Sequence, residues 1–543
     1  MRAEDPPVAV IGNGPVGQTA ALLLARWGVP VVLLDQRPRR AAAGSRSICQ
    51  QRDVLDVWEA VGVGRRIAEE GVTWTTARTF HRDRELFALT LPDPGSSPFP
   101  PFVNISQTRT EQILDEAVTA QPLITVCWDH RVTDITQHAD AVTLTCASAS
   151  GATRRLRASH AVACAGAHGT DVRRLLGVDF AGHSFAEKFL ICDIRAHLPG
   201  WRAERRFYFD PAFNPGRQVL IHPCPDATFR IDWQVPDDCD LAAEAASGVL
   251  DQRIRAIIGQ RDYEIVWRTV YRFHARVVDR MRVGRVLLAG DCAHLVAPFG
   301  ARGLNSGVAD AENLAWKLAF ARAGWAGESL VDSYHAERHA AALENLDVTG
   351  ATMRFLVPHT EAERQHRQRV LARAHTDPSA WSEVDSGRLA EPFWYVDSPL
   401  TTPDPTRPFA GRPPRASAPP AGPGILVPDA PVRRTPTAPP TRLRQLARAG
   451  LLLLTTAGVD PAGIARVAAS ATEAPVRAHA LADLDHTGAL TTALAARPGE
   501  VWLIRPDAHI AAVLPDPAAD TLVAAVRRAL GAATSGAART DTG

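Results

Sequence analysis

Lysine is nearly missing from this 543-residue chain: Lys188 and Lys317 are the only two, and arginine carries the rest of the positive charge. Net charge is missing too, since Lys+Arg 60 against Asp+Glu 59 leaves +1. No global field therefore draws the chain to nucleic acid or to an anionic membrane surface, and a small molecule is the expected partner. No apolar run approaches the roughly 18 residues that span a bilayer. The start lacks a basic segment, an apolar stretch and a small-residue cleavage site, because residues 8–12 run straight into a glycine turn. The eight cysteines are scattered and form no CxxC pair, which argues against a zinc site, a redox dithiol or a secreted disulfide framework. The expectation is a cytoplasmic protein with reduced thiols and no metal, and no internal repeat is present.

At about 100 to 200 residues per domain, the length accommodates several domains with substantial cores. Residues 8–12 read as a short buried strand, 18–27 as a helix and 31–35 as a second strand, which together make a βαβ start. Residues 80–91 and 205–234 are strand-like and aromatic, and 286–290 returns to the buried character of the first strand before a long helix over about 304–323. A nucleotide-binding unit split by a substrate-binding sheet is the simplest arrangement. Prolines then recur every few residues over 398–424, where each fixes its own φ and removes a ladder donor. Beyond them, apolar runs at 450–455 and 500–505, a turn at Pro506 and Asp507, and a closing helix over 518–530 give a further α/β pattern.

Gly12, Gly14 and Gly17 sit between the first strand and helix, where glycines allow a tight turn, close approach of a pyrophosphate and close helix packing. The helix start offers free N–H groups to phosphate. Asp35 follows 18 residues after Gly17, at the end of the second strand, placed to accept ribose hydroxyls. This element does not separate FAD from NAD(P). A second element does: Gly290 and Asp291 end a strand, and Pro298, Gly300, Gly303, Leu304, Asn305 and Gly307 lead into the long helix. A carboxylate for a polyol chain next to a helix start that stabilises a reduced ring suits a flavin.

On these motifs the sequence resembles the class A flavin monooxygenases of the phenol hydroxylase and 3-(3-hydroxyphenyl)propionate hydroxylase type, from Val8 to about Leu530. The resemblance implies an α/β fold: a Rossmann-like FAD-binding domain (1–80, 106–180 and, with helices, 281–397) split by a mixed β-sheet substrate domain (81–105 and 181–280). A Pro-rich linker (398–423), a thioredoxin-like domain (424–531) and a flexible tail (532–543) complete it. It implies that Gly12, Gly14 and Gly17 bind the FAD pyrophosphate, Asp35 the adenosine ribose and Asp291 the ribityl chain. Pro298, Gly300, Gly303, Leu304 and Asn305 match the loop along the isoalloxazine. Asp310, Asn313, Trp316 and Lys317 match its helix signature, Arg46 and Gln107 match polar FAD contacts, and Val132 falls near the adenine edge. The implied reaction reduces FAD with NAD(P)H, forms a C4a-hydroperoxyflavin from oxygen, and hydroxylates an aromatic or phenolic small molecule. The C-terminal unit contains no cysteine, which excludes a dithiol role and leaves a structural or homodimer-forming one.

The family's second fingerprint reads Asp-Gly, whereas this chain has Ala165-Gly166. Alanine offers no side-chain acceptor, so NAD(P)H docking must rest on neighbouring backbone groups. For the substrate, Tyr208, His222 and Tyr271 are the candidate catalytic side chains, able to orient or deprotonate a phenol. Arg202, Arg205 and Arg206 form a basic cluster that reads as a solvated strand edge, with contact to an acidic substrate as the alternative. Alternatives stay open: Baeyer–Villiger or antibiotic-inactivating oxidation, and a flavin-binding protein without turnover. A flavin halogenase is disfavoured because its WxWxIP signature is absent, and a simple dehydrogenase would not need the second glycine element.

Overall fold

Four short apolar strands, Val8–Ile11, Val31–Leu34, His160–Ala163 and Val286–Leu288, form the parallel core of a six-stranded sheet. Ile124–Cys127 joins one edge in parallel, and Arg282–Val283 joins the other antiparallel. The central strands are covered on both faces, which is why they read as unbroken apolar runs rather than alternating ones. This is a computed structural model, and it describes residues 5–40, 47–91, 97–414, 417–433 and 439–532. Arg46 and nearly all of the 532–543 tail lie outside the described residues.

Two helices meet on this sheet. Pro15–Arg26 opens on a proline, which supplies the fixed φ that a first helical turn uses and lacks only an N–H with no intrahelical partner. Arg302–Arg322 packs across it. The contact is close enough that a Cβ at Gly307 would lie 2.6 Å from Val16 Cγ2, and one at Gly290 would lie 3.0 Å from the same atom. The two glycine elements, almost 300 residues apart, are therefore held against each other by packing that only glycine permits.

The second layer is an eight-stranded mixed sheet in the order His294–Leu295, Tyr263–Val278, Phe180–Ala196, Thr228–Val235, Gln218–Cys224, Glu204–Phe209, Thr76–His81, Arg84–Thr90. Alternation gives it two unlike faces. Leu190, Cys192, Ile194, Ile221, Phe229, Ile231 and Trp233 face Leu250, Ile254 and Ile258 of the helix Val249–Ile258. The other face looks toward the parallel sheet.

The C-terminal unit is a four-stranded sheet ordered Val476–Ala480, Leu451–Thr455, Glu500–Ile504, Ile510–Pro515, with the first pair parallel and the others antiparallel. One face packs with Trp316, Phe320 and Leu330 of the nucleotide-binding unit. The described part of 398–423 has no helix or strand, yet it is packed: Leu400 is buried and Thr402 N donates to Ala511 O at 2.8 Å.

A buried charge cluster joins the two units. Glu337 accepts from Lys317 Nζ (2.6 Å), Asn313 Nδ2 (2.7 Å) and both terminal nitrogens of Arg505 (2.5 and 2.9 Å), while Trp316 Nε1 donates to Asp507 Oδ2 at 3.2 Å. Three of the four helix-signature residues thus dock the segment around Arg505. The fourth, Asp310, accepts from Gly290 N (2.9 Å), His294 Nε2 (2.7 Å) and Arg338 Nε (2.7 Å). Burial opposes its ionisation, but His294 and Arg338 outweigh that and hold the carboxyl down at about 2. Asp310 fixes the Gly290 turn from behind.

Candidate active site

A cavity of about 720 Å³ lies between the parallel sheet and the eight-stranded sheet. At one end Gly12 and Gly14 line it. Gly12 has φ +110° and a Cβ there would lie 2.3 Å from Cys164 O, so the turn admits no side chain. A Cβ at Gly14 would meet no protein atom within 4 Å, because that side opens into the space where a ligand backbone can approach. Gly17 does not line the cavity; a Cβ there would lie 1.9 Å from Gly12 O, so its role is to let the helix close on the turn.

Asp35, Gln107, Val132 and Gly166 line the same end. Asp35 is occupied by protein donors: Asn13 N (2.9 Å), Arg37 N (2.8 Å) and Arg37 Nε and Nη2 (2.9 and 2.8 Å). Burial raises the Asp35 carboxyl, and the bonds from Arg37 outweigh it, leaving a net lowering. With four donors the carboxylate's acceptor capacity is full. A ribose hydroxyl there must displace the partly exposed Arg37 side chain.

At the middle of the cavity, Asp291 lies on the turn Gly290–Cys292, beside Pro298, Gly300, Gly303 and Leu304. Gly300 has φ +89°, and a Cβ there would lie 2.0 Å from Arg388 O, while Ala390 N donates to Gly300 O at 2.7 Å. The loop is therefore backed by a second segment. Arg302 is fixed by Asn345 Oδ1 (2.7 Å), Arg388 O (3.2 Å) and Leu389 O (3.1 Å). Asn305 does not reach the cavity. Its Oδ1 accepts from Gln51 N (3.0 Å) and its Nδ2 donates to Cys49 O (3.0 Å), tying the strand Cys49–Gln51 to the helix start.

The far wall is the inner face of the eight-stranded sheet. Register places Leu220, Asp232, Ile191 and Thr269 in one row, and His222, Arg230, Asp193 and Trp267 in the next. Of the three candidate side chains, His222 and Tyr271 line the cavity and Tyr208 does not. Alternation on Glu204–Phe209 turns Arg205, Phe207 and Phe209 inward and Tyr208 outward, where it stacks on Phe80 with ring centroids 4.5 Å apart. Tyr208→Phe should accordingly change flavin content and turnover by less than about twofold; a large loss in either measurement would place the ring at the site after all.

Two residues at this wall escaped the reading of the sequence. Arg205, expected at a solvated edge, is 3% exposed, lines the cavity and donates to Ser386 O at 2.9 Å. Asp232 also lines it, and its Oδ1 is covered without a hydrogen-bond partner. Burial pushes Asp232 up to about 7 against the pull of Arg230. Burial, reinforced by Arg205 and Arg230, drives His222 well below its ordinary range, so its imidazole is neutral. The signal for Asp232 was present in Thr228–Val235, where one parity is Phe229, Ile231, Trp233 and Val235 and the other carries Arg230 and Asp232.

A cavity with a glycine turn at one end and a glycine-rich helix start at its middle fits the family comparison. The model described as FAD binding domain matches residues 5–349, and that described as aromatic-ring hydroxylase, C-terminal, matches 421–533. The chain belongs to the FAD binding domain family. Among relatives, it is 32% identical to rifampicin monooxygenase of Streptomyces venezuelae over 67% of this chain and 74% of that protein. It is 28% identical to a 3-(3-hydroxy-phenyl)propionate/3-hydroxycinnamic acid hydroxylase of Mycobacterium sp. (strain JLS) over 69% of this chain, and the match spans 64% of that relative's length. The fold is shared with the flavin-dependent monooxygenase PieE in complex with FAD and substrate (TM-score 0.84, 22% identity, 98% of this chain and 100% of that one). It is shared too with aklavinone-11 hydroxylase in a complex with FAD and aklavinone (TM-score 0.77, 24% identity, 98% and 100%). Among the described residues none beyond Leu389 lines the cavity, so the C-terminal unit stands outside it.

Proposed function

We propose that the chain is an FAD-dependent monooxygenase that hydroxylates an aromatic or phenol-like small molecule, with NAD(P)H as electron donor and dioxygen as oxidant. The observation that carries this reading is the cavity itself, which joins a flavin-sized cradle to a sheet face bearing polar side chains among aromatic ones. When bound, FAD supplies the electron transfer to oxygen that no side chain supplies. The chain's part is to hold and to shield. Gly12, Gly14 and the start of Pro15–Arg26 would take the pyrophosphate, and Asp291 a polyol hydroxyl. The start of Arg302–Arg322 would stabilise negative charge at the ring, by about 0.3 to 1 kcal/mol if exposed and more in this covered setting. His222 and Tyr271 would orient the substrate.

The hydroxylase names among the relatives favour ring hydroxylation over Baeyer–Villiger insertion. The C-terminal unit is best read as a thioredoxin-like module with a structural or dimer-forming role, since its strand order is 2-1-3-4 with the last two antiparallel and it has no cysteine. A panel of phenols scored by stimulated NAD(P)H oxidation and product mass tests the reading: a product one oxygen heavier is expected, and flavin reduction that no phenol stimulates and that yields no oxygenated product contradicts it.

Ala165 also lines the cavity, beside Gly166 at φ +68°. With backbone groups alone available there, Ala165→Asp should alter the anaerobic rate of flavin bleaching by NAD(P)H several-fold, by about 1 kcal/mol, while leaving FAD affinity nearly unchanged. Stopped-flow absorbance reads the first and a binding titration the second; the reverse pattern would place residue 165 in the FAD cradle.

A further inference from the structure

Asp232 lines the cavity from the inner sheet face, in register with Leu220 and Ile191. Its neighbour Asp193 is bound bidentately by Arg230, at 2.7 and 2.8 Å. Asp232 Oδ1 is covered and has no hydrogen-bond partner among the described residues. Buried polar atoms of native proteins nearly always have a partner, so a covered carboxyl oxygen that finds none in the protein points to a water, an ion or a ligand group on its cavity side.

The position is also right for substrate. Phe299, in the loop placed along the flavin ring, packs on Phe189 (centroids 5.4 Å) and Phe273 (5.8 Å) of the sheet. Asp232 pairs in register with Ile191, two residues along the strand from Phe189. One pleat repeat, roughly 7 Å, therefore separates the Asp232 row from the row on which that loop rests.

We propose that Asp232 is the substrate-facing base of this site, accepting the proton of a substrate hydroxyl, and that it selects neutral phenols over aromatic carboxylates at this wall. This rests on the reading of the cavity as a hydroxylation site. The proton passes from the substrate oxygen to the Asp232 carboxylate, and the electron pair left on that oxygen enriches the ring carbon that takes oxygen. Dioxygen is the oxidant and NAD(P)H the reductant, as in the proposed reaction, so the proton transfer itself is redox-neutral. Charge accounts for the selection. The groups facing Asp232 are Arg230 on its own strand, Asp193 on the next, His222 on Gln218–Cys224, Arg205 on Glu204–Phe209, and Thr269, Trp267 and Tyr271 on Tyr263–Val278. Above pH about 7, where Asp232 is ionised, two cations and two acids balance there and His222 is neutral, so an incoming carboxylate would be a third anion beside Asp232, and affinities are compared in that range. A hydroxyl donor adds no charge and satisfies the empty acceptor.

The test uses the full-length holoenzyme and two probes on one skeleton, 2-naphthol and 2-naphthoate, with affinity read by calorimetry. The wild type should bind 2-naphthol at least about tenfold more tightly. Asp232→Asn, checked for flavin content and melting temperature, should reduce that ratio several-fold, because the carboxamide offers a donor to the carboxylate. For any phenol the wild type hydroxylates, the variant should lose at least about thirtyfold in kcat with a smaller change in KM. Burial holds Asp232 near pH 7, so wild-type kcat should rise as pH increases through about 7 and the variant should lack that limb. Equal affinity for the probes, preference for 2-naphthoate, or no binding of 2-naphthol overturns the proposal, as does an unaltered kcat and pH profile in the variant. These binding outcomes do not depend on turnover, so they are distinct from failure of the hydroxylase reading, which would appear as no oxygenated product from any phenol.

Discussion

Gly12→Val yields a protein that no longer retains FAD. The side chain would have to enter a turn where even a Cβ lies 2.3 Å from Cys164 O and 3.1 Å from Ala165 Cα, at φ +110°. Both obstacles are backbone, so no rotamer change relieves them, and the turn must move out of the shape on which the proposed pyrophosphate contact depends. A loss of at least about 100-fold in FAD affinity, near 2.7 kcal/mol, is expected. Flavin absorbance per chain after gel filtration reads the outcome, with a thermal melt to show that the sheet has survived. Full flavin occupancy in a folded variant would remove this turn from the cofactor site.

The second large effect concerns the cluster beneath the C-terminal unit. Glu337 is 2% exposed and faces Lys317, Asn313 and Arg505. Burial by itself raises its carboxyl, and Arg505 and Lys317 overcome that to hold it well below the usual carboxylate range. Glu337→Gln leaves Lys317 buried without the carboxylate it pairs with and Arg505 with Asp507 alone, a change expected to cost about 3 to 5 kcal/mol. A urea midpoint, with m compared between proteins, measures it. Ending the chain near Gly411 should be harsher than a cut in a free linker, because Trp316, Phe320 and Leu330 lose their cover along with Arg505. The pH dependence follows the same sign. Both Glu337 and Asp310 have depressed folded pKa values, so their contribution is complete above their unfolded values of 4.5 and 3.8. For Asp310 it disappears as pH falls through about 2. Wild type should therefore lose stability below about pH 4.5, and Glu337→Gln should lose less of it.

The features legible in the sequence are those imposed by the backbone. Gly12, Gly14, Gly290 and Gly300 each occupy a place where a side chain would collide or where a ligand must approach, and such places leave glycine in the sequence at recognisable offsets from strands. What the sequence concealed depends on strand parity and on distant partners. Tyr208 and Arg205 lie on one strand, both faces of which carry aromatic residues, so nothing local says which parity faces the cavity. The helix residues Asn313, Trp316 and Lys317 were recognisable as a motif, but their use in docking residues 505–507 depends on a segment almost 200 positions away. Asp35 carries a subtler lesson. Its position in the sequence suits a ribose, whereas in the fold four protein donors, three of them from Arg37, already occupy its carboxylate.

The measurement that tests the central claim most directly is turnover of the purified protein with NAD(P)H, a phenol panel and isotopically labelled dioxygen, with the products and the released cofactor identified by mass. The account predicts FAD released intact on denaturation and a hydroxylated phenol carrying one labelled oxygen atom. A protein that takes up no FAD, or one that bleaches with NAD(P)H and returns all of the label as hydrogen peroxide with every phenol, would contradict it.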